Sequence, residues 1–204
     1  MKKYIKNSMT FQEYRSLIDD QLAAASATGS DQSESLNEFT RLNCRRMDRL
    51  AKTVELTEGV KAAARTIDRP LILLILTEGW CGDAAQNIPA IEKISAESGM
   101  IETRYLLRDQ NPDLMDMFLT DGARSIPKLI ALDAETLEVL GSWGARPNAA
   151  QDYFMEMKQA GHDKPWILEN MQRWYNSDKT LSIQKEFEVL LNSWKRDLSA
   201  AAAA

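Results

Sequence analysis

The sequence has few of the residue types that form disulfide frameworks or bind metals. It holds two cysteines, Cys44 and Cys81, and one histidine, His162, in 204 residues. Two cysteines in a chain this long cannot make a disulfide framework, and a single histidine without a CxxC pair makes no zinc site. A glycine-rich phosphate loop is also missing. We therefore predict no metal and no cofactor.

Excess positive charge and long apolar runs are missing too. The net charge is −5 and the pI is near 5.1, whereas nucleic acids and anionic membranes attract clustered basic groups. The longest apolar run, Leu71 to Leu76, is far shorter than the roughly 20 residues that cross a bilayer. The first residues show no apolar run typical of a secretory signal. The composition predicts a cytoplasmic protein that binds neither nucleic acid nor membrane.

One basic cluster has helical spacing, and its members are Arg41, Arg45, Arg46, Arg49 and Lys52. Acidic residues lie close to it in the sequence. A solvated helix face is the main interpretation, and a local site for an anion or a partner is the alternative.

The middle of the chain alternates between strand and helix patterns. A buried strand is predicted at residues 71–76, and a helix from Cys81 to Gly99 follows it. Further predictions are a strand at 101–107, a short helix at 111–118, a strand hairpin within 126–143 and a helix at 148–160. This order predicts an α/β protein with a central sheet flanked by helices.

Helical segments are predicted on both sides of this region. A capping box at Thr10 to Glu13 predicts a helix to about Ala25, and a second at Ser35 to Glu38 begins a helical arm that reaches about Ile67. One face of this arm is predicted to pack, through Leu36, Phe39, Met47, Leu50 and Val54. From Lys164 onward, aromatic residues and an amphipathic helix predict a second helical extension. The predicted organisation is therefore an N-terminal extension at 1–67, a central domain at 68–162, a C-terminal extension at 163–198 and a tail at 199–204.

Three local features coincide with this order of elements. The buried strand leads into the motif Trp80-Cys81-Gly82-Asp83-Ala84, an Ile126-Pro127 pair begins the third strand, and Gly144 follows the fourth. Together they resemble the thioredoxin superfamily, with its mixed central sheet. The closest resemblance is to bacterial thioredoxin-like proteins that have a WCGDA motif and a helical N-terminal extension.

The resemblance implies roles for these residues. Cys81 would be the attacking thiol and Pro127 a cis-proline whose loop faces the sulfur and pairs with a substrate backbone. The remaining substrate-binding positions would be Trp80, Gly82, Asp83 and Ile126. Ala84 occupies the position of the resolving cysteine of the thioredoxin superfamily.

The position of Cys81 also predicts its reactivity. A thiol at a helix N-terminus meets the positive end of the helix dipole, which lowers its pKa, while the nearby Asp83 opposes this effect. We expect an exposed and modestly activated thiol, with a small buried side chain as the alternative.

These features support more than one function. The leading hypothesis is monothiol exchange, in which Cys81 forms a mixed disulfide that an external thiol resolves. That thiol would come from a client protein or a small thiol such as glutathione. Cys44 would need its Cα within about 7 Å of that of Cys81 to do so, and a packed, inert Cys44 is favoured. The alternatives are a non-catalytic peptide-binding or protein-binding module and a peroxide-reactive thiol, so whether the protein is an enzyme stays open.

Overall fold

The predicted strand at residues 71–76 lies inside a mixed four-stranded sheet. The computed structural model describes residues 1–29 and 32–201, with side chains through residue 195, so residues 202–204 of the predicted tail lie outside it. In the described residues the strands are β1 Leu71–Thr77, β2 Ile101–Leu107, β3 Lys128–Asp133 and β4 Val139–Trp143. All seven residues of β1 are buried, as expected for a strand that is covered on both faces.

The sheet has the order β2-β1-β3-β4. β1 runs parallel to β2 and antiparallel to β3, and β3 pairs with β4 as an antiparallel hairpin. Asp133 closes the hairpin turn by accepting the backbone N–H groups of Glu135 and Thr136 at 2.8 Å each. The predicted α/β class, with a mixed sheet flanked by helices, is confirmed.

Helices surround this sheet. They are α1 Lys2–Lys6, α2 Phe11–Ala23, α3 Glu34–Thr53, α4 Glu58–Arg65, α5 Gly82–Ser98, α6 Pro112–Met115, α7 Asn148–Gln159, α8 Lys164–Asp178 and α9 Leu181–Ala201. The predicted capping box of α2 is present: Thr10 accepts the Glu13 N–H, and Glu13 accepts the Thr10 N–H. α5 ends where Gly99 takes a left-handed φ of 64°, which glycine adopts without strain.

Three helical predictions need correction. The capping box at Ser35 is wrong, because α3 begins at Glu34, two residues earlier than predicted, with Ser33 as its N-cap. The helical arm is broken: α3 ends at Thr53, and the Thr57 side chain caps the separate helix α4. The helix predicted at 111–118 is reduced to α6, preceded by a 3-10 turn at Arg108–Gln110.

The two predicted extensions share one hydrophobic core with the sheet. A single cluster of buried residues includes Tyr14 of α2, Met47 of α3, Leu74 of β1, Ile88 of α5 and Trp194 of α9. A second, smaller cluster joins α7 to α8. Phe39 is an exception to the predicted buried face of α3, since it is 42% exposed. Both extensions therefore help to shape the surface around Cys81.

Candidate functional site

Cys81 lies where the sheet meets a helix. β1 ends at Thr77, the chain turns, and Cys81 becomes the N-cap of α5. Its sulfur accepts the Ala84 N–H at 3.4 Å and donates its own proton to the Ile126 carbonyl at 3.3 Å. The protein therefore holds this side chain as a neutral thiol between two backbone groups.

The segment facing the sulfur has the predicted geometry. The Ile126-Pro127 peptide bond is cis, as the resemblance implies. Ile126 is buried, with 5% of its surface exposed, and its carbonyl is the group that accepts the Cys81 thiol. The structure thus brings Cys81 and the Ile126-Pro127 pair together.

The predicted exposure and activation of Cys81 are wrong. Only 7% of the residue is exposed. Burial raises the pKa of the Cys81 thiol to about 12, and the Asp83 carboxylate adds to the rise, while the N–H groups of Ala84 and Asp83 only partly oppose it. α8 also lies close to the motif, since a Cβ placed on Gly82 would lie 3.4 Å from the Gln172 Nε2 atom.

Asp83 has two partners within the fold. Arg146 donates to its Oδ2 atom at 2.8 Å, and the Tyr175 hydroxyl donates to its Oδ1 atom at 2.6 Å. Asn87 completes the network by donating to the Tyr175 oxygen at 3.2 Å. Burial raises the pKa of Asp83, against the opposing effects of Arg146 and Tyr175. Both carboxylate oxygens therefore join α5 to α8 and to the segment after β4.

Two groups contact the Trp80 side chain. Its indole Nε1 donates to the Thr28 carbonyl at 3.1 Å, and the Arg108 guanidinium lies over its ring, 5.0 Å from the centroid. The ring is only partly buried and packs against the main core. Its position beside Cys81 makes it a wall of the site.

Cys44 is a packed thiol. It is 8% exposed, belongs to the main core, and burial raises its pKa. Both cysteines are free. These observations favour the inert interpretation of Cys44 over a resolving role.

A cleft of about 680 Å³ lies over Cys81. Its walls are the motif from Trp80 to Asp83, the segment 123–126, one face of α3 and one face of α8, together with Arg108 and Arg146. Leu36, Phe39, Pro165 and Leu168 contribute apolar surface. Of the predicted site residues, Trp80, Cys81, Gly82, Asp83 and Ile126 line this cleft.

Sequence reasoning missed three contributors to this site. Arg146 and Tyr175 reach Asp83 from 63 and 92 residues away, and no local pattern marks either of them. Gln172 reaches the motif from α8 and accepts a hydrogen bond from Gln86 at 2.7 Å. Arg46 was singled out in the basic cluster, but its place in the cleft wall depends on how α3 packs.

The single histidine lies away from this chemistry. His162 stacks on Trp166 with ring centroids 3.6 Å apart. Within residues 1–29 and 32–201, no group of three or more histidine, cysteine or acidic side chains is arranged to hold a metal ion. None of the helices in this part of the chain is long and apolar enough to span a membrane.

The mixed sheet, with a cysteine at a helix N-terminus opposite a cis-proline, defines a thioredoxin-fold protein. The sequence matches the family described as thioredoxin over residues 29–159, and the chain belongs to that family.

Two solved structures share this fold. The crystal structure of an HIV epitope-scaffold is 16% identical, covers 85% of this chain and 96% of its own, and has a TM-score of 0.56. A protein of unknown function from Pseudomonas aeruginosa is also 16% identical, covers 95% of this chain and 99% of its own, and has a TM-score of 0.53. A comparison with curated protein sequences finds no match.

Proposed function

We propose that this thioredoxin-fold protein is a non-catalytic binding module, which holds a ligand in the cleft over Cys81. The observation that carries the proposal is the state of the Cys81 thiol: it is buried, and it donates its proton to the Ile126 carbonyl at 3.3 Å. Thiol exchange begins with a thiolate. Burial raises the pKa of this thiol to about 12, so the neutral thiol is the dominant form at neutral pH.

The residues around the thiol support the same conclusion. Ala84 supplies no second sulfur, and Cys44 is packed in the core. The cleft, in contrast, has a volume within the range of roughly 300–1,000 Å³ that is typical of small-ligand sites. The site is therefore better suited to holding a molecule than to turning over a disulfide.

Monothiol exchange is the second candidate function. It is favoured by the Ala84 N–H on the sulfur and by the cis-proline segment opposite, because N–H donors stabilise a thiolate. Exchange would require a docking client protein, or glutathione, to uncover Cys81 and then to resolve the mixed disulfide. A peroxide-reactive thiol would meet the same obstacle, since it too needs a thiolate. A bacterial source, a cytoplasmic location and the lack of a nucleic-acid partner stay predictions.

The thiol's ionisation tests the two candidates against each other. In a Cys44→Ala variant, Cys81 is the only thiol, so the thiolate absorbance at about 240 nm reports Cys81 alone. The double variant that also has Cys81→Ser serves as the blank. We expect no thiolate to form until well above the free-cysteine pKa of about 8.5, and slow alkylation in the folded state. A midpoint below that value would favour exchange and overturn the binding proposal.

Binding itself needs a separate measurement. The neutral apolar dye N-phenyl-1-naphthylamine should bind the wild-type protein with enhanced fluorescence. Ala123→Trp, at an exposed position in the cleft wall, should weaken that binding, whereas Ala149→Trp, at an exposed position on α7 outside the lining, should not. Failure of the dye to bind, or equal effects of the two substitutions, would contradict a binding cleft at this position.

A further inference from the structure

The cleft over Cys81 differs in charge from the rest of the molecule. The chain has a net charge of −5, yet the cleft is lined by two acidic side chains, Asp83 and Glu169, and by five basic ones. The basic residues are Arg46, Arg108, Arg124, Arg146 and Lys164. A positive cleft on a negative protein concentrates anions locally.

Two of these cations have no carboxylate partner. Arg108 pairs with Asp109, and Arg124 pairs with Asp116. Among the described residues, no carboxylate lies within ion-pair distance of Arg46 or Lys164, and Arg46 donates to the neutral Asn43 side chain at 2.9 Å. These two charges remain available to a ligand.

Of these two cations, Arg46 gives the stronger indication of an anion site. It is partly buried, and burial together with the neighbouring Arg49 lowers its pKa, which shows that its surroundings disfavour the positive charge. A Cβ placed on Gly82 would lie 4.0 Å from its Nη1 atom, so the guanidinium reaches the motif beside Cys81. An anion bound here would compensate a charge that the fold leaves unpaired.

Arg146 adds further donors to the same cleft. One nitrogen holds Asp83, and the guanidinium lies over the Phe154 ring, 4.2 Å from the centroid. Its Nε and Nη1 atoms are buried without an acceptor among the described residues. A buried N–H donor without an acceptor destabilises the fold. A ligand with an acceptor group would remove this cost by accepting a hydrogen bond from Arg146.

We propose that the cleft binds a small organic anion with an apolar body, whose charged group pairs with Arg46 and is attracted by Lys164. The apolar body would pack against Trp80, Leu168 and Phe39. This inference rests on the proposed binding function and names its ligand class. A small molecule fits better than an extended peptide, because α3 and α8 both wall the cleft and the Ile126 carbonyl already accepts the Cys81 thiol.

The test compares two dyes of similar shape and different charge. 1-Anilinonaphthalene-8-sulfonate carries a sulfonate, whereas N-phenyl-1-naphthylamine is neutral. In the double variant Arg46→Gln, Lys164→Gln we expect the sulfonate dye to bind about tenfold more weakly, as for the loss of a charge-assisted contact. The neutral dye should keep its affinity, and added salt should weaken only the sulfonate dye.

Matched variants separate charge from structure. Arg46→Lys with Lys164→Arg keeps both charges and should keep most of the affinity for the sulfonate dye. Arg45→Gln on the exposed face of α3, together with Lys158→Gln on α7, removes the same net charge outside the cleft. This pair should change the affinity for neither dye. Circular dichroism and thermal unfolding of each variant confirm that it is folded.

The possible outcomes are distinguishable. If the neutral dye does not bind the wild-type protein, the proposed binding function fails, and this inference fails with it. If both dyes bind but the cleft variant loses no more sulfonate affinity than the matched variant, the anionic ligand class is wrong while the binding function stands. If an extended acidic peptide displaces the sulfonate dye at lower concentration than the small anion decanoate, the cleft is a peptide site and the proposal is overturned.

Discussion

Glu78 is a carboxylic acid with no exposed surface, and it lies two residues before the motif that begins at Trp80. Its Oε1 atom accepts the Asp109 N–H at 3.0 Å, while its Oε2 atom is buried without a partner among the described residues. Burial raises the pKa of Glu78, and the Asp109 N–H opposes this effect only in part. The folded protein therefore binds a proton on Glu78 more readily than the unfolded chain does.

The stability of the protein should depend on pH through this group. An acid whose folded pKa is raised stabilises the fold below its ordinary value of 4.5, and this contribution is lost as the pH rises through the folded pKa. Glu78→Gln stays neutral at every pH. We therefore expect the variant to gain stability relative to wild type between about pH 4.5 and pH 7, measured by urea unfolding.

The comparison with wild type isolates Glu78 from the other buried acids. Burial also raises the pKa values of Asp83 and Glu92, but these groups are present in both proteins and their effects cancel. Glu156→Gln, at an exposed position on α7, is the matched control and should show no such trend. A stability difference between Glu78→Gln and wild type that is the same at both pH values would contradict the prediction.

At the scale of elements, the main feature is the attachment of α8 to α5. Three hydrogen bonds join α8 to α5: Tyr175 donates to Asp83, Asn87 donates to Tyr175, and Gln86 donates to Gln172. α8 also forms one side of the cleft, so these contacts set its width. Burial raises the pKa of Tyr175 well above its ordinary value, which keeps the hydroxyl protonated and able to donate.

Removing this hydroxyl should weaken the joint between the helices. Tyr175→Phe leaves the Asp83 Oδ1 atom without its donor, and a hydrogen bond to a charged group contributes about 1.5–3 kcal/mol. We expect a loss of that size in the free energy of unfolding. Tyr153→Phe is the control. Tyr153 packs against the small core that contains Tyr175, and its hydroxyl makes no hydrogen bond within the described residues. This substitution should lower the free energy of unfolding by less than about 0.5 kcal/mol. Equal losses in the two variants would show that the Tyr175 hydroxyl does not join the helices.

At the scale of the whole molecule, the fold was predictable where local patterns and burial agree. The run from Leu71 to Leu76 is too short for a typical helix and follows a proline, and it forms β1 as predicted. Thr10 and Glu13 satisfy each other's backbone groups locally, so their capping box forms without help from the rest of the chain. Ser35 matches the same pattern, but the helix starts at Glu34 instead.

The site was predictable in its positions and not in its chemistry. The order of elements placed Cys81 at a helix N-terminus, and the resemblance placed the cis-proline opposite. The pKa of the thiol depends instead on what covers it, and the covering groups come from distant parts of the chain. Gln172 approaches from α8 and Arg46 from α3, through packing that no local pattern in the sequence encodes. This is why the expected direction of the pKa shift was wrong.

The C-terminal extension also completes the main core. The side chains Ile183, Phe187, Leu191 and Trp194 of α9 are each at most 1% exposed and belong to the same buried cluster as the sheet. The Trp143 indole, from β4, donates to the Glu186 carboxylate on α9 at 2.6 Å. The α9 residues lie beyond residue 159, where the match to the thioredoxin family ends. The thioredoxin-like part of this chain therefore shares its core with a helix outside the family's matched region.

A chain that ends at residue 162 should consequently fail to fold. Each large apolar side chain that loses its burial costs about 1.5–3 kcal/mol, and the loss of four such partners is comparable to the total stability of an ordinary domain, about 5–15 kcal/mol. We expect the shortened chain to lack a cooperative thermal transition by circular dichroism. A chain that ends at Leu198 keeps every buried residue named here and should melt as the full-length protein does. Cooperative unfolding of the shorter chain would show that the sheet and α5 form a self-sufficient core, and that α9 only covers it.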